Sequence, residues 1–118
     1  MEAEKPDIFE LHANFCRSLS NPKRLIILAV LAKGEKSVGE LAEASGVTLA
    51  NISQHLAILR SHNIVKSRKE GQTVYYSITD TRLVDACNLI RAVLLDGMKR
   101  QGTIADGMDA LNLMTNKM

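Results

Sequence analysis

The chain has 118 residues, 46% of them hydrophobic and 24% charged, with a formal net charge of +2. That is one domain's worth of globular protein, and so mild a charge singles out neither nucleic acid nor membrane as a partner. No apolar run approaches the roughly 18 residues of a membrane span, and the opening MEAEKPD is acidic with no apolar signal core, so a cytoplasmic protein without a membrane partner is expected.

Asp7, after Pro6, is placed to cap a first helix over about 8–19, with Ile8, Leu11, Phe15 and Leu19 on one stripe. In SNPKRLIILAVLAKG, Asn21 supplies the N-cap of a second helix, Pro22 its first position and Gly34 its stop. Leu25 to Leu31 is apolar nearly all round, as in a buried helix. SVGELAEASG reads as a short third helix, in which Ser37 and Glu40 have the capping-box spacing and Gly46 ends it. Thr48 caps a fourth helix over about 49–62, whose stripe of Ile52, Leu56 and Leu59 turns inward and whose end falls at Asn63.

The period then changes to two. IVKSR, KEGQ and TVYYSI read as a hairpin over about 64–78 with Gly71 in its turn. Asp80 caps a long amphipathic helix over about 81–100, with Leu83, Cys87, Ile90 and Leu94 on one side and Gly102 as its breaker. A weaker sixth helix over about 104–115, carrying Ile104, Met108 and Leu111, lies in a C-terminal extension, 101–118. The expected architecture is a single domain over 1–118, mainly α with a small β-hairpin, in the order four helices, two strands, two helices.

Two short helices joined by SGVT form a helix-turn-helix, whose second helix can enter a DNA major groove. The outer face of that helix crowds Asn51, Ser53, Gln54 and His55 into about a turn and a half. Asn and Gln can pair bidentately with adenine, and Ser, Thr and His reach base edges or phosphates. The hairpin that follows is basic, with Lys66, Arg68 and Lys69, and would stand as a wing beside the duplex. Residues 20–80 hold eight bases against five acids, so the positive charge gathers where the groove reader lies. The plain alternative is that such residues are a solvated helix face and that Ser53 bonds back to its own helix.

LSNPKRLIIL, SVGELAEASGVT, ISQHLAILR and GQTVYYSI, in that order and spacing, resemble the ArsR/SmtB family of winged helix-turn-helix repressors over about residues 8–98. The resemblance implies a homodimer built on the helices over 8–19 and 81–100, bound to a palindromic operator and released by an inducer. It places the base readers on Thr48, Asn51, Ser53, Gln54 and His55, and the wing contacts on Lys66, Arg68, Lys69 and Gln72.

Family members sense metals, metalloids or thiol-active species, and their sites must be sought one by one. A Cys-x-Cys motif at the start of the third helix is absent from KSVGELA. The zinc-type pattern on the fifth helix meets Asp80 but then Arg82 and Val93, which cannot ligate zinc, before Asp96. Cys16 and Cys87 remain, on the two helices that the family dimer packs together. They form a redox or sulfur-responsive pair, or, with His12 four residues before Cys16, a metal or metalloid site, or they are simply small core residues. The sulfide-responsive members that use two cysteines carry the first on the second helix, where this chain has Ala29. No cofactor is required by this reading. No Gly-rich phosphate loop, Gly-x-Ser-x-Gly elbow or His pair with a glutamate base is present, so catalysis is not expected. A winged-helix protein-interaction module that does not bind DNA is the alternative from another class.

Overall fold

The computed structural model describes residues 7–102. Within them lie α1 (Ile8–Leu19), α2 (Pro22–Leu31), β1 (Lys36–Ser37), α3 (Val38–Ser45), α4 (Leu49–Ser61), β2 (Val65–Glu70), β3 (Thr73–Ile78) and α5 (Arg82–Arg100).

The helix starts follow the capping chemistry. The Asp7 carboxylate accepts the Phe9 N–H at 2.9 Å, and the Asn21 side chain accepts those of Lys23 and Arg24 at 2.9 and 3.2 Å. Ser37 and Glu40 close the capping box reciprocally, at 3.1 and 2.8 Å. At the other ends, Gly46 takes φ +74° after α3 and Asn63 takes φ +59° after α4. A glycine and an asparagine stand at these two left-handed positions because bulkier side chains resist them.

The core is built where α2, α3 and α4 meet. Ile27, Leu41, Ile52, Leu56 and Leu59 are fully buried there, and Ile64 and Val65 close it from the entry to β2. Each such side chain contributes about 1.5–3 kcal/mol over leaving it in water. Pinning α4 through three core residues on one stripe leaves its opposite face free.

The wing is larger than a hairpin. β1 pairs antiparallel with β3, Lys36 opposite Tyr76 and Ser37 opposite Tyr75, so the sheet has three strands in the order β1-β3-β2. A two-residue strand is too short to show any period, and Ser37 is already engaged as the cap of α3. β2 and β3 pair from Val65 opposite Ile78 to Glu70 opposite Thr73, around Gly71 at φ +64°.

Two expected apolar stripes divide, and one expected helix lies outside the described residues. The described residues contain five helices, and the sixth, expected over about 104–115, falls outside them. The expected stripe of α5 divides in two. Leu83 packs on the core and Cys87 is buried, whereas Ile90 and Leu94 are 66% and 60% exposed beside the equally bare Leu89 and Val93. The stripe of α1 divides as well: Phe15 and Leu19 pack on the core, and Ile8, Phe9 and Leu11 stand in solvent. A helical period marks an apolar face but does not say which part of it the same chain will cover.

Candidate nucleic-acid interface

Val47, buried between the helices, and Ser45 set the angle at which α3 hands over to α4. The Ser45 hydroxyl donates to the Leu41 carbonyl and accepts the Val47 N–H at 3.2 Å, which satisfies the buried turn without a water. Thr48 then accepts the Asn51 N–H at 3.3 Å, so part of its hydrogen-bonding capacity is spent on capping. Ser53 donates to the Leu49 carbonyl at 3.3 Å, a bond back to its own helix. Asn51 and Gln54 differ from both. They are exposed, and their side-chain amides make no hydrogen bond among the described residues.

His55 sits half-buried at the edge of this face, in contact with α2. Its Nδ1 lies 3.4 Å from the Arg24 guanidinium, which also donates to the Ser18 carbonyl of α1 at 2.6 Å. Burial, and then the positive charges of Arg24 and Lys23, hold the His55 pKa below its ordinary value. The ring is therefore kept away from the imidazolium form. Lys23 and Arg24 were missed by the sequence reading because they belong to α2, two helices earlier, and only packing brings them to α4. Leu49 was missed for a different reason. It lies on the helix expected to be the reader, yet it is 60% exposed at the first turn.

The wing residues do not behave alike. Lys66, Lys69 and Gln72 are exposed. Arg68 is held by two carboxylates, donating to Glu35 at 2.8 Å through both Nε and Nη2 and to Glu70 at 2.6 Å through Nη1. Its guanidinium also lies 4.6 Å from the centroid of the Tyr75 ring. The Arg68 hydrogen bonds draw the Glu35 pKa below the usual carboxylate range and push that of Arg68 up. Fully solvated pairs of this kind add little stability, but a phosphate reaching Arg68 must compete with two carboxylates.

The candidate sensing residues are dispersed. Cys87 is buried against a cavity of about 90 Å³ whose walls include Leu25, Leu28, Ala29, Leu83 and Arg91. Cys16 is exposed on α1 and is not among those walls, which α2 supplies through Leu25, Leu28 and Ala29. Both thiols are free. His12, Cys16 and Cys87 are not gathered into a metal-binding set, and no group of three or more ligating side chains occurs among the described residues. Asp80 accepts the Arg82 N–H at 3.0 Å and pairs with its guanidinium at 2.7 Å, which holds the carboxyl down at about 2. The N-cap position of α5 is Thr81, which makes no side-chain cap bond, so Asp80, expected as the cap, instead serves the first N–H of the helix from one residue further out.

Comparison with known proteins agrees with this geometry. The family described as bacterial regulatory protein, arsR family, matches residues 21–67, from the cap of α2 into β2. The nodulation protein NolR of Rhizobium meliloti is 46% identical over 74 residues, 63% of this chain and 61% of that protein, so the chain spans somewhat under two thirds of that relative. The crystal structure of Rv0081 from M. tuberculosis superposes with a TM-score of 0.73 at 30% identity, covering 82% of this chain and 98% of that one. The solution structure of the homodimeric winged helix-turn-helix DNA-binding domain of Mb0332 from Mycobacterium bovis does so with a TM-score of 0.72 at 30% identity, covering 83% and 94%. With the helix-turn-helix, the three-stranded wing and these matches in agreement, the chain belongs to the arsR family of bacterial regulatory proteins.

Proposed function

We propose that the protein is a homodimeric transcriptional repressor that binds a palindromic operator, with α4 in the major groove and the wing on the backbone. The observation that carries this reading is the outer face of α4, where Asn51 and Gln54 stand exposed and unengaged among the described residues. Buried readers would cost desolvation; these two keep their full donor and acceptor sets for base edges. Asn51, Gln54 and His55 are the main readers, with Thr48 and Ser53 beside them and Leu49 as an apolar contact for a thymine methyl. Lys66, Lys69 and Gln72 meet phosphate or sugar, and Arg68 joins them on release from Glu35 and Glu70. Dimerisation is supported by the uncovered apolar faces of α1 and α5. Two copies related by a two-fold axis present two copies of α4 to two half-sites.

Salt separates this reading from a protein-interaction module. Affinity for a duplex selected by the protein from a random pool is expected to fall by about 10³-fold or more between 50 and 200 mM salt if six or more phosphates are met. Glu35→Gln combined with Glu70→Gln, which removes both carboxylates from Arg68, steepens the log–log slope by about 0.9. A flat salt response, or no duplex enriched from the pool, would overturn the DNA-binding reading.

For the inducer, we propose a thiol-oxidising or sulfur species acting on Cys16 and Cys87. The support is chemical: Cys16 is accessible, and Cys87 lies between α2 and α5, where a modified sulfur would press the helix that carries the proposed dimer face. A metal or metalloid ion has less support, because His12, Cys16 and Cys87 are apart in one chain. Treatment with a disulfide oxidant or a persulfide donor is expected to release DNA from the wild type, and Cys16→Ser or Cys87→Ser to abolish the response. Identical binding by all three proteins under every condition would leave Cys87 as a packing residue and Cys16 as an exposed side chain with no part in sensing.

A further inference from the structure

We propose that Arg24 is a positioning residue for the recognition helix, fixing His55 as the neutral ring protonated at Nε2 and so presenting DNA with a hydrogen-bond donor. The inference rests on α4 being the reader.

An arginine side chain has only donors, so its approach to Nδ1 requires a lone pair there. In a neutral imidazole the proton must then sit on Nε2. Arg24 is itself restrained at its backbone and at its guanidinium. Its backbone N–H is taken by the Asn21 cap, and its Nε is anchored on the Ser18 carbonyl at the end of α1. The guanidinium thus comes to His55 from a fixed base. At 3.4 Å the bond is long, and the charge of the guanidinium adds to its effect: together with burial and Lys23 it disfavours the imidazolium. The Nδ1 donor that imidazolium would offer is therefore absent.

The consequence is chemical selectivity. A ring with a bare, occupied Nδ1 and a protonated Nε2 can give a hydrogen bond outward but cannot accept one there. It suits guanine O6 or N7, adenine N7, thymine O4 or a phosphate oxygen, and it does not suit the exocyclic amines of cytosine or adenine. Arg24 touches no base in this scheme and acts only through His55.

The test uses the full chain labelled with ¹⁵N-histidine. In the wild type the His55 ring is expected wholly as the Nε2–H form at neutral pH. In Arg24→Met the Nδ1–H form is expected to appear and the titration midpoint to rise. An Nδ1–H ring in the wild type overturns the proposal without reference to any variant, and so does a tautomer and midpoint unmoved by Arg24→Met. A second arm compares His55→Gln, whose amide reaches the Nε2 position, with His55→Asn, whose amide stops at Nδ1. On the duplex selected by the wild type against a scrambled control, His55→Gln is expected to keep discrimination within a few-fold and His55→Asn to lose about tenfold. If neither changes discrimination, His55 donates nothing and the proposal fails. Gln54→Ala on the same duplexes then shows where the fault lies: loss of discrimination leaves α4 as the reader, and its absence removes that reading too.

Discussion

Val93→Asp is expected to yield a folded monomer whose affinity for the selected duplex is lower by about 10²–10⁴-fold. Val93 is 69% exposed in the isolated chain, so the substitution leaves the core of α2, α3 and α4 intact and the thermal unfolding of the monomer nearly unchanged. In the proposed dimer the same position is covered, and a carboxylate placed there has no partner to offset its desolvation. Losing the partner removes the second half-site from the same molecule, and with it an effective concentration that supplies about 10²–10⁴ in avidity. Sedimentation velocity and duplex titration on the same preparation check both halves of the expectation. A variant that remained dimeric and bound DNA like the wild type would place the dimer contact away from α5.

Gln54→Ala and Lys69→Ala are expected to fail in different ways. Gln54 carries an exposed, unengaged amide on the outer face of α4, so its removal costs whatever bidentate pair it makes with a base. Such a pair is worth about 1–3 kcal/mol of discrimination, or roughly 5–150-fold, and the loss appears on the selected duplex and not on a scrambled one. Lys69 is exposed near the tip of the wing and carries no base-reading geometry. Its removal weakens both duplexes alike and lowers the salt slope by about 0.9. Equal weakening of both duplexes by both substitutions would mean that α4 is not the reader.

The contrast between Arg68 and Lys69 shows how charge placement divides the wing. Both are basic residues of β2, one position apart, and alternation along a strand sends them to opposite faces. Arg68 meets Glu35, Glu70 and the Tyr75 ring, and Lys69 meets solvent. A proximity of this kind depends on the loop before β1 and on β3, elements 33 residues and a hairpin turn away, so no local pattern announces it.

Much of the fold was written in local chemistry. Caps at Asp7, Asn21, Ser37 and Thr48, left-handed stops at Gly46 and Asn63, and a change of period at Ile64 each act within a few residues, where a side chain and the backbone it satisfies are neighbours in the chain. The exposed amides of Asn51 and Gln54 were legible for the same reason, because a helix with three buried positions on one stripe must show its others to solvent. What only the tertiary structure decided concerns distances between elements. It brought Arg24 to His55, closed Glu35 on Arg68, added β1 to the wing, walled the Cys87 cavity with α2 side chains and not with Cys16, and left the second half of α5 uncovered. Side-chain type and spacing limit what a residue can do; which partner it meets depends on how whole helices pack, and that energy is spread over a core that no single segment contains.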